Sequence, residues 1–237
     1  MKKQKVIGVL GGMGPESTAE LLLRITRLTP AATEQDHFRV IVDSNPKIPN
    51  RTEALLSNDM EPIIKALAAT ARNLEAAGAE VIGIPCNTAH AFLPDILEAI
   101  DTPVVDMVDE AAKRARSHFD AGTVIGLLAT DGTLRSRLYH DALANHGLVG
   151  LAPSAPGLQF AIMDGLDTVK LHGVSEEVSR AMALGVKDLA ENGAAALIAG
   201  CTEVSLVLGS FPPDLPWLDP LQILAEALVR EAEVEES

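Results

Sequence analysis

The stretch Ile84-Pro85-Cys86-Asn87-Thr88-Ala89-His90 has a distant echo in Ala199-Gly200-Cys201-Thr202-Glu203. These two segments hold both cysteines of the 237-residue chain, 115 positions apart. Each cysteine closes an apolar, strand-like run and precedes a segment with helical character. The residues leading up to them align at the same offset: Arg72 on Lys187, Leu74 on Leu189, and Gly78-Ala79 on Gly193-Ala194. Further upstream, Val6-Ile7-Gly8 matches Val124-Ile125-Gly126 with the offset stretched to 118. The simplest reading is a duplicated α/β chain with one thiol in each half.

Working outward, residues 5–10 read as a buried parallel strand ended by Gly11-Gly12-Met13-Gly14-Pro15. The glycines permit a tight turn and close approach of a ligand to the backbone, and Pro15 suits the first turn of a helix to about residue 27. A second strand is expected over 37–44, followed by a proline-stiffened loop, Asn45 to Thr52, in which Arg51 stands where the loop turns into the next helix. Helical spacing over 61–77 and 174–192 ends in each case at a glycine, and strands at 80–85 and 195–200 follow. This is a βαβ pattern, hence a parallel sheet with right-handed crossovers.

A short strand at 103–106 closes the first half, a helix over 109–119 crosses, and a strand at 123–128 opens the second half. The loop Ala129-Thr130-Asp131-Gly132-Thr133 then takes the place of Gly11 to Pro15, with its hydroxyls offered to a small polar ligand or a helix cap by Asp131 or Thr133. Between Leu158 and Gly173, the segment Ile162 to Lys170 fits neither a strand nor a helix pattern well, and Lys170 has no obvious structural duty there. Trp217-Leu218 reads as a short strand, a last helix runs from Asp219-Pro220 to about 230, and the acidic end from 231 is expected to fray. The fold class is thus two pseudo-symmetric parallel-sheet α/β domains with the active site in the cleft between them. The expected domains are 1–104 plus 214–237, and 105–213.

Two thiols at matching strand ends suit proton transfer. A thiolate on one face of a carbon removes a proton while a thiol on the other face delivers one, which inverts the centre. Asn87, Thr88 and Thr202 are placed to cap the helices after the cysteines, and the positive helix ends are expected to lower the thiol pKa below about 8.5. Those N-termini also offer N–H groups to a carboxylate.

The composition is 47% hydrophobic, 3% aromatic and 22% charged, as for a helix-rich globular chain. A formal charge of -14 opposes nucleic acid and anionic membrane as partners, and an anionic substrate then needs a local basic pocket. No run matches a signal h-region or a membrane span, which places the protein in the cytoplasm with free thiols in preference to a disulfide. Cys86 and His90 lie four apart, but the paired ligand elements of a zinc site are missing, and no metal is expected. A cysteine hydrolase would leave the matching place of Cys201 unexplained. A two-lobed amino-acid binding protein without catalysis is the remaining alternative.

Gly11 to Glu16, Asn45 to Thr52, Pro85 to His90, Leu127 to Thr130 and Gly200 to Glu203 together resemble the cofactor-independent aspartate/glutamate racemases over nearly the whole chain. Gly-Gly-Met-Gly-Pro with Cys-Thr-Glu looks like the aspartate racemase branch, since glutamate racemases typically carry a histidine where this chain has Glu203. The resemblance implies a racemase of acidic amino acids, aspartate first and glutamate or broad specificity second, without pyridoxal phosphate or metal and often a homodimer. It makes Cys86 and Cys201 the two acid/base residues, with Cys201 acting on the L and Cys86 on the D enantiomer. It gives Arg51 and Lys170 the grip on the side-chain carboxylate. Met13, Asn87, Thr88, Thr130, Thr202 and Glu203 complete the substrate site, with Glu203 supporting Cys201 or the substrate ammonium. Leu221 departs from the family pattern, where a hydroxyl residue is expected after Asp219-Pro220. The alternative within the superfamily is an isomerase or decarboxylase of a small dicarboxylic acid.

Overall fold

The computed structural model describes residues 4–233. The chain forms two compact units, one running to Glu110 and resuming at Leu221, the other spanning Ala111–Pro220. The first contains β1 (Ile7–Gly11), α1 (Pro15–Leu28), β2 (Val40–Ser44), α2 (Arg51–Ser57), α3 (Glu61–Ala76), β3 (Val81–Gly83), α4 (Leu93–Leu97) and β4 (Val104–Val105). The helix α5 (Met107–His118) leads into the second unit. There follow β5 (Val124–Ala129), α6 (Asp131–Arg135), α7 (Leu138–Asn145), β6 (Val149–Leu151), α8 (Pro156–His172), α9 (Glu176–Glu191), β7 (Ala196–Gly200), α10 (Thr202–Ser210) and β8 (Trp217–Leu218). The helix α11 (Pro220–Ala232) returns to the first unit.

Each unit has a four-stranded parallel sheet, ordered β2-β1-β3-β4 in the first and β6-β5-β7-β8 in the second. The two orders are the same once the second is counted from its own first strand, so the duplication read from the sequence extends to the topology. All five residues of β1 and of β7 are buried, as expected for strands covered on both faces. In the first unit Leu10, Leu67, Leu74 and Ile82 join one apolar cluster, while Ile7, Val9, Leu21, Leu224 and Leu228 form a second. In the second unit, Leu128 and Leu197 pack with residues of α8, α9 and α10.

The aligned residues now acquire a physical meaning. Both α3 and α9 have 16 residues, and their bounds differ by the same 115 positions as the cysteines. Each ends in a Schellman cap. Gly78 and Gly193 adopt φ of 94° and 91°. The Ala79 N–H reaches the Leu74 carbonyl at 3.0 Å, and the Ala194 N–H reaches that of Leu189 at 2.9 Å. The cap then seats on the first strand of its sheet at the matched glycine. A Cβ on Gly8 would lie 2.8 Å from that of Ala79, and one on Gly126 would lie 3.2 Å from that of Ala194.

Three elements depart from the sequence reading. The segment 162–170, which fitted no pattern, lies within α8, whose buried Ile162, Leu166 and Val169 do carry helical spacing. The strand expected over 80–85 stops at Gly83. The chain turns out of the sheet around Pro85, where the Cys86 N–H bonds to the Ile84 carbonyl at 2.8 Å. Finally, β8 pairs with β7, so the second unit extends past residue 213, and α5 rather than residue 104 carries the first changeover. Of the acidic end, residues to Ala232 remain helical and Glu233 bridges Gln4, while 234–237 lie outside the described residues. Among the described residues no helix is long and apolar enough to cross a membrane.

Gly8→Ala is expected to destabilise the protein by about 1–3 kcal/mol, because the new methyl overlaps the cap of α3. Gly157→Ala, where nothing lies within 4 Å of the added Cβ, is expected to be neutral or slightly stabilising. Denaturant midpoints of the two variants test this, and equal midpoints would contradict the packing argument.

Candidate active site

In an open α/β sheet the ligand crevice lies at the strand C-termini, where neighbouring strands send their chains to opposite sides. In the first unit that place is between β1 and β3, and in the second between β5 and β7. The register pairs Val9 with Gly83, and three residues further along the chain, just past the strand ends, stand Gly12 and Cys86. In the second unit Ala129 pairs with Gly200, and the next residues are Thr130 and Cys201. Each cysteine therefore sits at the switch point of its own sheet. Both are free and buried.

The glycine loop after β1 is shaped by the chain itself. A Cβ on Gly11 would lie 2.3 Å from Thr18, and one on Gly12, at φ 91°, would lie 2.3 Å from the Asn45 backbone. The Thr18 hydroxyl accepts the Gly12 N–H and donates to the Gly14 carbonyl, both at 2.8 Å. The close approach expected of a ligand is thus made at Gly11 and Gly12 by Thr18 and Asn45, whereas nothing lies within 4 Å of a Cβ on Gly14. The loop after β2 closes on this one, with the Asn45 N–H on the Gly11 carbonyl at 3.2 Å.

Arg51 opens α2, which Asn50 caps by accepting the Thr52 and Glu53 N–H groups. Its Nη1 donates to the Pro49 carbonyl at 3.0 Å and its Nη2 to that of Met13 at 3.2 Å. The guanidinium therefore braces two loops at the crevice. Its Nε is buried and has no partner.

After Cys86 the structure differs from expectation. The chain forms a five-residue 3-10 turn, Thr88–Phe92, and Asn87 makes no side-chain cap. The short α4 with Pro94 in its first turn follows, so no long helix dipole points at Cys86. His90 is buried in this turn. Its Nδ1 lies 2.9 Å from the Cys86 carbonyl, and its Nε2 accepts the Met107 N–H at 3.2 Å. That pairing assigns the proton to Nδ1 and makes His90 a neutral pin between the cysteine loop and α5. Burial holds its pKa below the usual histidine value, with the charge of Asp106 acting in opposition.

Cys201 is the N-cap residue of the nine-residue α10. Its Sγ donates to Glu203 Oε2 at 2.7 Å, and the Thr202 hydroxyl donates to the same oxygen at 3.2 Å rather than capping the helix. The expected lowering of the thiol pKa is reversed here. Burial pushes Cys201 well above the ordinary thiol range, and the Glu203 carboxylate adds to this through its charge and hydrogen bond. Lys170, on α8, opposes that rise. Burial disfavours the Lys170 charge, but the hydrogen bond to Asp167 at 2.8 Å and the neighbouring Cys201 and Glu203 leave its pKa raised.

The sequence-derived residues thus fall into two groups. Met13, Arg51, Cys86, Asn87 and Thr88 stand at the strand ends of the first unit, and Thr130, Cys201, Thr202 and Glu203, with Lys170 on α8, in the second. Thr130, not Asp131 or Thr133, is the N-cap of α6 and accepts the Thr133 N–H at 3.2 Å. Sequence reasoning missed Gln159 and Met163. Gln159 Nε2 donates to the Ala129 carbonyl at 3.0 Å and to Asp131 at 2.8 Å, and the Asp131 N–H reaches the Met163 sulfur at 3.3 Å. Positions 159, 163 and 170 share one helical face, a signal hidden while the segment had no assigned structure. Leu221 is buried against Ile7 and Val9, so its side chain serves the core. Among the described residues no group of three or more His, Cys, Asp or Glu is placed to hold a metal ion.

Fold and site define a duplicated α/β protein with one thiol at the switch point of each half. The family described as Asp/Glu/hydantoin racemase matches residues 10–228, and the chain belongs to it. The broad specificity amino-acid racemase RacX of Bacillus subtilis is 25% identical over 228 residues, covering 94% of this chain and 96% of the relative. Among solved structures, aspartate racemase of Picrophilus torridus aligns with a TM-score of 0.83 and 27% identity, over 98% of this chain and 96% of that one. Glutamate racemase of Francisella tularensis shares the fold at a TM-score of 0.70 and 19% identity, over 98% of this chain and 81% of that one.

Neutral burial of His90 carries a pH signature. The unfolded chain takes up the histidine proton below about pH 6.5, while the folded chain resists it. This contribution is whole above that value and is lost as pH falls, with a slope of up to about 1.4 kcal/mol per unit. His90→Gln is expected to lower the denaturant midpoint near neutral pH and to flatten its decline between about pH 7 and pH 5.5. Parallel pH profiles for the two proteins would show that His90 titrates alike in both states.

Proposed function

We propose that this protein racemises aspartate, and by extension glutamate, by two-base proton transfer between Cys86 and Cys201 without a cofactor. The observation that carries the reading is the topological equivalence of the two thiols, each at the switch point of an identically ordered sheet. Membership of the racemase family and the likeness to an aspartate racemase support it. The reading requires both sulfurs to reach one substrate carbon from opposite faces. One thiolate takes the α-proton and the opposing thiol returns one, so each turnover exchanges the protonation states of the pair.

Arg51 and Lys170 supply the cationic grip that a chain of charge -14 needs for a dianionic substrate. Three carbonyls already orient the Arg51 guanidinium at the strand ends of the first unit. Met13, Asn87, Thr88, Thr130 and Thr202 line the remainder of the substrate site in this reading. The protein works in the cytoplasm as a homodimer and binds neither nucleic acid nor membrane. The similarity to a broad specificity racemase favours a second reading, in which the same two thiols act on a wider range of amino acids.

Proton NMR of L-aspartate in D2O with reduced, metal-free protein tests the proposal. The α-proton signal is expected to disappear as D-aspartate accumulates, and Cys86→Ala or Cys201→Ala to lower the rate by at least about a thousandfold. Racemisation that persists in the double alanine variant would refute it. Arg51→Lys is expected to raise KM for aspartate by about ten- to a hundredfold, since an ammonium cannot both brace the loops and clamp a carboxylate.

A further inference from the structure

The two thiols have equivalent places in the fold but unequal surroundings. Cys201 is buried, and its sulfur meets a carboxylate at 2.7 Å, only two residues along the chain. That carboxylate belongs to Glu203, which as a residue is only partly buried. On the two-thiol reading, every L-to-D turnover leaves the proton on one sulfur and must return it before the next turnover in the same direction. A buried sulfur needs a carrier for that return.

We infer that Glu203 is this carrier: the carboxylate through which Cys201 exchanges its proton with solvent between turnovers, holding the free enzyme in the state with Cys201 protonated and Cys86 as the base. The inference rests on the two-thiol reading. In the exchange the Cys201 S–H bond breaks as an O–H bond forms on Glu203 Oε2, and a water or buffer base then takes that proton from the carboxyl group. The reverse sequence reloads the sulfur. No electron changes hands and no further reactant is needed.

The charges around the pair fit a carrier. Glu203 on α10 favours the protonated sulfur, while Lys170 on α8 favours the thiolate, and Asp167 on α8 ties Lys170 in place. The helix α9 meets α10 in an apolar cluster that includes Met182, Val186, Val204 and Val207. The Thr202 hydroxyl donates to the same Glu203 oxygen and fixes its orientation toward the sulfur.

The test pairs a kinetic with a spectroscopic readout on the full chain. Glu203→Gln keeps the size of the side chain but cannot carry a proton. It is expected to lower steady-state kcat for both enantiomers about tenfold or more while KM changes less than about threefold. A single turnover of D-aspartate with enzyme in excess is expected to be affected much less, and Glu203→Asp to recover part of the steady-state loss. In a Cys86→Ala background, where Cys201 is the one remaining thiol, Glu203→Gln is expected to shift the rise of thiolate ultraviolet absorbance to lower pH. An unchanged kcat and an unchanged thiolate transition, in a protein that racemises and needs both cysteines, would overturn the role of Glu203 alone. Wild-type protein that racemises neither aspartate nor glutamate would overturn the two-thiol reading and this inference with it.

Discussion

The absence of a side chain at one point in the first strand of each sheet is the constraint on which the rest depends. Gly8 and Gly126 leave room for Ala79 and Ala194, the residues with which α3 and α9 turn back toward the sheet. That contact brings the outgoing strand directly beside the first one, with Val9 opposite Gly83 and Ala129 opposite Gly200. Within each sheet the loops that leave these two strands therefore start side by side, and the cysteine of that unit stands at the end of its own sheet. A larger residue at either glycine would displace the helix cap, and the thiol would move with the strand behind it.

On this common frame the two cysteine sites have diverged. Cys86 stands before a short 3-10 turn and is fixed through its carbonyl by His90, so the local structure controls its backbone. Cys201 is controlled through its sulfur, by a carboxylate two residues away in the first turn of α10. Fold symmetry has therefore not produced electrostatic symmetry. The cationic side chains follow the same division, with Arg51 built into backbone loops and Lys170 held on a helix by Asp167.

The sequence disclosed what is periodic or repeated. The glycine after each of the two helices announced its end, because the left-handed position past a helix favours glycine, and the matched leucine and alanine announced the duplication. It disclosed less where several local preferences compete. In α8 a glycine, two aspartates and a threonine mask the spacing of Ile162, Leu166 and Val169, and with the helix unseen Gln159 and Met163 could not be placed beside the Thr130 loop. The Asn87-Thr88 pair reads as a helix cap, yet Pro94 and the buried His90 hold the following turns short. The rise in the Cys201 pKa was beyond a rule based on helix dipoles, because burial of the sulfur, joined by a full negative charge in contact with it, outweighs partial charges at a helix end.

The last helix adds a matter of timing. Leu221, Leu224 and Leu228 of α11 fill the same apolar cluster as Ile7 and Val9 of the first strand, and Leu228 approaches β3 so closely that a Cβ on Gly83 would lie 2.5 Å from it. The second unit, by contrast, is one continuous segment, Ala111–Pro220. On a ribosome the chain therefore releases all of the second unit before the first can finish its core. Until α11 emerges, the face of β1 and β3 that it covers stays open to water and to chaperones. The half that begins first is completed last.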